Sequence, residues 1–258
     1  MASESSFAQT VEKVKSVCTT AESHYHSIDQ DIINEYSEIK RCKGEISNLE
    51  KYISQKEGAF AARKSEHDRA ESEASYYRSV ASDLRSEAYD ADEDGDYDSL
   101  MSRADDAEEK ARAAQERAQD ILGEMLIIQQ EIREAQGEIS ALESEIGQHK
   151  NNLSQIAARC KEIGRRLKQN GQVLQSKAAE VNNKARPAFD QGGRTKYGSM
   201  SITASAWCSK VAQEGHNQGI AAVNLGRKFE ELAQSASSKA GDDASDNRKN
   251  YTREERSR

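Results

Sequence analysis

The chain has 258 residues, of which 35% are hydrophobic, 32% charged and 5% aromatic, with one proline and a net charge of −8. So polar a composition argues against a globular core, and with a regular apolar repeat it is typical of long helices and coiled coil. The negative charge disfavours nucleic acid and anionic lipid as main partners.

The first predicted element is a long helix over residues 1–88, arm one. Two positions of its seven-residue repeat, starting at Phe7 and at Val11, are apolar in 20 of 24 cases. A sustained repeat of this kind gives a left-handed coiled coil. The N-terminus shows no apolar run of a secretory signal, so we expect a soluble, cytoplasmic protein. Secretion without a signal peptide stays an alternative.

An acidic, turn-like segment follows at residues 89–99, which we predict to be the tip of a helical hairpin. Its aspartates alternate as in the first half of an EF-hand loop, around the turn-forming Gly95. The candidate ligands for calcium are Asp90, Asp92, Asp94, Asp96 and Asp98. Met101 stands where the loop needs a bidentate glutamate, so binding should be weak at most. A solvated acidic turn is the simpler interpretation.

The second arm, residues 100–186, repeats the pattern of the first. Its two repeat positions, starting at Leu100 and Ala104, are apolar in 21 of 24 cases. Folding at the acidic tip pairs residues whose numbers sum to 188, which leaves arms of equal length, roughly 120 Å long at about 1.5 Å per residue. Heptad phase alone also permits sums of 181 and 195. Pro187 is predicted to end the helix.

Polar residues interrupt this seam at seven positions: Glu35, Lys56, Arg63, His67, His149, Asn170 and Lys177. In the predicted register Lys56 meets Ile132 and Arg63 meets Met125. Long side chains can extend out of a two-helix seam and help to fix its register. Alternatively, Lys56, Arg63 and His67 mark a place where a partner helix or a second copy binds.

A glycine-rich connector, residues 187–199, leads to a predicted third helix over residues 200–240. Its apolar stripe runs from Cys208 to Ala236, and its glycines weaken it, so we expect it to need a surface on which to fold. We predict that it packs at the base of the hairpin on Tyr36, Tyr52 and Val173. Trp207, the only tryptophan, is a further interface candidate. Residues 241–258 are predicted to be disordered.

The four cysteines, Cys18, Cys42, Cys160 and Cys208, fall on apolar positions and are expected to be small buried hydrophobes. No HExxH, phosphate loop or nucleophile elbow is present, so no catalytic residue or cofactor is predicted apart from calcium at the tip.

The pattern therefore predicts an all-α fold: a long antiparallel coiled-coil hairpin, a third helix packed at its base and a disordered C-terminal tail. The function that we expect is a non-enzymatic scaffold, spacer or adaptor that binds protein partners, and a homo-oligomer is one form it could take. A bacterial helical export substrate or toxin-delivery partner, with the hairpin as targeting module, is the alternative. A helical pore-forming toxin component is a weaker one, because no segment is apolar enough for insertion.

Overall fold

The computed structural model describes residues 2–90, 96–192 and 198–241, and all of these residues are helical. Helix α1 spans Ala2–Asp90, α2 spans Asp96–Gly192 and α3 spans Gly198–Gly241. The predicted all-α fold, with two long helices packed against each other and a third helix beside them, is confirmed. The predicted disordered tail lies outside the described residues, apart from Gly241.

Several helix limits differ from the prediction. Both long helices extend into the predicted tip, because α1 ends at Asp90 and α2 begins at Asp96. Helix α2 also continues to Gly192, so the expectation that it ends before Pro187 is wrong. A proline inside a helix removes one backbone hydrogen bond and crowds the preceding turn, and here the helical backbone accommodates it.

The chain divides into two compact units. Unit 1 contains Met1–Arg41 and Glu145–Arg258, and unit 2 contains Cys42–Ser144. Unit 2 is therefore a helix pair built from the second half of α1 and the first half of α2. Unit 1 contains parts of all three helices.

The core of unit 2 is made mainly of alanine. Its buried apolar residues are Ala70, Ala74, Ala81, Leu84, Ala88, Ala104, Ala107, Ala111, Ala114, Ala118, Met125 and Ala135, together with Cys42. Small side chains of this kind let two helices approach closely. They also bury little apolar area per residue, so this core is thin.

Ion pairs between α1 and α2 fix the register of unit 2. Lys56 Nζ lies 2.6 Å from Glu131 Oε2, and Arg63 Nε lies 2.9 Å from Glu124 Oε2. Both acids directly precede the predicted seam partners, Ile132 and Met125. A shift of seven residues would place these acids about 10 Å further along the helix. The structure therefore agrees with the register in which residue numbers sum to 188.

Unit 1 is a three-helix bundle in which α3 packs against both other helices. Phe229 is fully buried, and its ring meets the ring of Tyr25 on α1 edge-on at 5.6 Å. Leu153, Leu167 and Leu174 of α2 are also fully or almost fully buried. These large apolar residues make the unit 1 core thicker than that of unit 2.

Glycines bring α2 and α3 into backbone contact. A Cβ atom placed on Gly171 would lie 2.6 Å from the carbonyl oxygen of Gly219, and one placed on Gly164 would lie 2.7 Å from that of Gly226. The converse distances, from Gly219 and Gly226, are 2.7 and 2.8 Å. No side chain larger than hydrogen fits at either crossing, so the glycines that weaken α3 in isolation are the ones that let it pack.

The same seam continues in both directions with small residues. We call it the glycine seam, and it comprises Ala157, Gly164, Gly171, Ala178 and Ala185 on α2 and Ser205, Ala212, Gly219, Gly226 and Ala233 on α3, all of them buried. The residues recur every seven positions, and the two series run antiparallel. At one end Ser205 Oγ donates a hydrogen bond of 2.7 Å to the carbonyl oxygen of Ala185.

The surface on which α3 packs differs in part from the predicted one. Tyr36 does meet α3, since Lys239 Nζ lies 5.5 Å from the centre of its ring. Val173, in contrast, is 47% exposed, so α3 does not cover it. The glycine seam, Phe7 and Tyr25 form the docking surface instead, because Gly215 is also packed against Phe7 and Val11.

Candidate functional site

The acidic tip is described only in part. Asp90 is the last residue of α1, whose last turn carries no basic residue, and Asp96 and Asp98 lie in the first turn of α2. A negative charge stabilises a helix when it lies near the N-terminus and destabilises it near the C-terminus. Asp96 and Asp98 therefore stabilise α2, whereas Asp90 is unfavourable at the end of α1. Asp92 and Asp94 lie outside the described residues.

Two tyrosines flank the tip. The rings of Tyr89 and Tyr97 meet at a centroid distance of 6.4 Å, and Tyr89 is 75% exposed. Within the part of the chain that the structure describes, no group of three or more His, Cys, Asp or Glu side chains is arranged to hold a metal ion. What the described tip offers is an acidic surface with an exposed aromatic ring.

Lys56 lies at a charged break in the seam of unit 2. Its ammonium group lies 2.6 Å from Glu131 Oε2 and 5.3 Å from the centre of the Tyr52 ring. Glu131 Oε2 is shielded from solvent and has no hydrogen bond of good geometry. The two charged atoms are close enough to form an ion pair, and Glu131 raises the pKa of Lys56.

Arg63 and His67 are held in a similar way. Arg63 contacts Glu124 on α2 at 2.9 Å and Glu66 on its own helix at 2.6 Å. His67 is mostly buried, with a ring nitrogen 3.6 Å from Asp68. Three of the predicted interface candidates, Lys56, Arg63 and His67, therefore have partners within the chain. The contacts of Lys56 and Arg63 with α2 favour the interpretation that these two residues fix the register, whereas His67 contacts acids on its own helix. None of these contacts tests binding of a partner.

A polar cluster crosses the seam of unit 1. His149 Nδ1 lies 2.6 Å from Glu35 Oε2, and Asn152 Nδ2 donates to both oxygens of Glu35 at 3.1 and 3.2 Å. Two polar residues predicted for the seam are therefore partners of each other. Asn170 and Lys177, also predicted for the seam, are exposed instead. Their neighbours Gly171 and Ala178 are buried instead, because α3 packs against that face of α2.

Other carboxylates of the helices are paired with arginine. Arg165 and Arg166 both contact Glu162, at 2.9 and 2.6 Å, and their hydrogen bonds lower the pKa of this exposed carboxyl from 4.5 to about 2. In unit 2, Arg85 binds Glu108 across the helix pair and lowers its pKa. Arg85 and Glu108 line an open groove of about 350 Å³ between α1 and α2 in unit 2, whereas Glu162 and its two arginines belong to unit 1.

The four cysteines are buried as expected. Burial raises the pKa of the Cys18 and Cys160 thiols, so both are less reactive than an exposed thiol. The prediction of small buried hydrophobes is confirmed.

Large apolar side chains on the outer faces of the helices are the feature that sequence reasoning largely missed. Among the residues whose exposure the structure describes, twelve are at least 37% exposed: Val17, Ile33, Tyr52, Tyr76, Tyr89, Tyr97, Leu122, Leu126, Ile127, Val173, Trp207 and Ile220. Trp207 and Tyr52 were predicted as interface candidates. Most of the others could have been found in the sequence as apolar residues that lie outside the two seam positions of the heptad repeat.

We compared the chain with family models, curated proteins and solved structures. None of the three comparisons finds a match. Among the described residues, no helix is long and apolar enough to cross a membrane. Function must therefore be argued from the helices themselves.

Proposed function

We propose that the chain is a non-enzymatic helical scaffold that binds protein partners through the outer faces of its helices. The observation that carries this proposal is the set of exposed apolar side chains, among them Tyr76 at 64%, Ile127 at 62% and Trp207 at 48%. Single exposed apolar residues are common on any protein, but groups of them on a highly polar chain are typical of contact surfaces.

The polar residues of the seam support the same function. Glu35, His149 and Lys56 are the kinds of residue that can act in acid–base chemistry, and each is engaged by another side chain of the bundle. The outer faces of packed helices are convex, whereas substrate turnover requires a concave, desolvated site. Convex helical faces suit contact with another macromolecule.

Site-specific photo-cross-linking tests the proposal. A photoreactive phenylalanine analogue replaces Trp207 or Tyr76 in the full chain, and an exposed polar residue, Lys13, carries the same analogue as a matched control. The first two positions should each give a discrete cross-linked protein in the native cell extract that Lys13 does not give. Identical products at all three positions, or none, would contradict a scaffold that uses these faces.

We also propose that the acidic tip is a recognition point for a basic protein surface, or for calcium bound weakly. Asp90 against the dipole of α1, with the exposed ring of Tyr89 beside it, supports this proposal. Calorimetry compares calcium binding to the wild type and to the variant Asp90→Asn/Asp92→Asn/Asp94→Asn. Heat seen only with the wild type supports calcium. Loss of a cross-linked partner in the variant supports a basic surface, and no difference in either assay contradicts both.

A further inference from the structure

One stretch of α2 in unit 2 exposes three large aliphatic side chains close together. Leu122 is 45% exposed, Leu126 56% and Ile127 62%. With Gly123 between them, we call these residues the α2 outer patch. Gly123, Leu126 and Ile127 lie opposite the seam positions Ile121, Met125 and Ile128, so they point away from α1 by helical periodicity, with Leu122 at their edge.

The patch has a shallow depression at Gly123 beside the projecting side chain of Leu126. A Cβ atom on Gly123 would meet nothing within 4 Å. The helix surface is therefore open there, next to the projecting Leu126. A glycine at such a point lets another helix approach closely, as the glycine pairs between α2 and α3 do within unit 1.

Charged residues bound this face at both ends, and their signs are opposite. Glu116 lies one heptad before Gly123, and Arg133 lies one heptad after Leu126. Both are exposed. In the monomer Arg133 Nε makes only a long hydrogen bond, 3.3 Å, to the carbonyl oxygen of Gln129 on its own helix. Along this face of α2 the order is therefore an acid, Glu116, then Gly123 and Leu126, then a base, Arg133.

We propose that the α2 outer patch binds a second copy of the chain, with the two α2 helices antiparallel and related by a twofold axis. Leu126 of each copy then packs over Gly123 of the other. The same register sets Arg133 of each copy opposite Glu116 of the other. A parallel pair would instead place Arg133 against Arg133 and Glu116 against Glu116, so charge selects the antiparallel arrangement.

The strength of this contact follows from its size. Three side chains per copy are well short of the ~800 Å² per partner that a standard interface buries. At the rim, Asp120 of one copy approaches Glu134 of the other, and this like-charged pair weakens the contact further, although water screens it. The dimer is therefore weak and forms only at high protein concentration. This inference goes beyond the scaffold proposal, because it assigns an occupant to one face.

Sedimentation equilibrium of the full chain over a wide concentration range tests the inference. The wild type should show a monomer–dimer equilibrium, and Leu126→Gln should raise its dissociation constant about tenfold or more. Ala62→Gln, which introduces the same side chain at an exposed position of α1 in the same unit, is the control and should leave the constant unchanged. A wild type that stays monomeric throughout would overturn the proposal, as would equal effects of the two substitutions.

A charge swap tests the antiparallel register itself. Glu116→Arg and Arg133→Glu should each weaken the dimer, because each places like charges opposite one another. The double variant exchanges the two charges and should restore the wild-type constant, while Glu134→Lys should strengthen the dimer by removing the rim repulsion. A double variant as weak as the product of the single ones would overturn this register. Circular dichroism on every variant verifies that the helices are intact.

Discussion

At the scale of single residues, some charged groups of this chain pair across helices, and others stabilise their own helix from one turn away. Glu162 is an example, since Arg165 and Arg166 both contact it from the following turn. The effect of such a pair is seen more directly in the titration of the carboxyl than in stability.

We predict that the Glu162 carboxyl titrates with a pKa of about 2, below its ordinary value of 4.5. The charged form is favoured in the folded chain, so any stability that it contributes is present above pH 4.5 and is lost as the pH falls towards 2. Carbon NMR of the side-chain carboxyl measures this directly. Replacing both Arg165 and Arg166 by Gln should return the pKa towards 4.5. A carboxyl that titrates normally in the wild type would show that the arginines are not in contact with it.

Glycines also act at the residue scale, and the structure divides them into two kinds. Gly58 faces open space, whereas Gly171 meets the backbone of α3. We predict that Gly58→Ala raises the free energy of unfolding by about 0.5–1 kcal/mol, because alanine is the better helix former. Gly171→Ala should lower it by about 1–3 kcal/mol, because its methyl group forces the two helices apart.

Denaturant unfolding followed by circular dichroism checks both substitutions. They make the same chemical change in the same kind of element, so only the environment differs between them. If Gly171→Ala were as stabilising as Gly58→Ala, the close approach of α2 and α3 would be wrong.

At the scale of the elements, the fold was predictable where two helices carry matching repeats. The unbroken heptads of α1 and α2 predicted the pairing, because a buried seam must follow the period of the helix. The position of the acidic turn then selected the register of 188 from those that the heptad phase permits. The packing surface of α3 was predicted only in part, since Tyr36 meets α3 while Val173 is exposed. Gly219 and Gly226 were interpreted only as weakening α3, since each glycine taken alone lowers helix stability.

The missing signal was a second series in α2. Gly164 and Gly171 stand at the spacing of Gly219 and Gly226, and the order of small residues matches when one helix is reversed. A search limited to apolar stripes does not find such a match. The interface residues were less predictable still, because an exposed leucine on a helix is recognisable only when the seam is known.

The cores of the two units differ in the size of their residues. Leu153 in unit 1 and Ala104 in unit 2 are both fully buried. We predict that Leu153→Ala costs about 2–5 kcal/mol, because it leaves a cavity in a packed core. Ala104→Ser should cost much less.

Hydrogen exchange should follow the same order as these two cores. Amides in the alanine-rich part of unit 2, in residues 75–90 and 96–115, should exchange before those of α2 in unit 1. The reverse order would contradict the view that the leucine-rich core is the more stable one.

At the scale of the whole molecule, α3 completes unit 1. It covers Phe7, Tyr25 and the glycine seam of α2. A chain without α3 would expose this apolar surface together with the small residues that permit close helix contact. Such a surface favours association with other copies.

We therefore predict that truncation after Gly198 lowers the melting temperature and produces oligomers at concentrations where the full chain shows none. Size-exclusion chromatography with light scattering measures the second effect. Leu126→Gln in the truncated chain should not abolish these oligomers, because they arise from unit 1. A truncated chain that stays monomeric and melts normally would mean that α3 adds little to the bundle.

The buried thiols of unit 1 can report how often the helices of this bundle separate. Cys18 and Cys160 lie inside the bundle, and burial holds their pKa above that of an exposed thiol. A thiol reagent can reach them only during the moments when the helices separate. The labelling rate of each cysteine therefore measures how often its part of the bundle opens. A partner that binds unit 1 would lower the labelling rate of both cysteines even if it contacts neither sulfur atom.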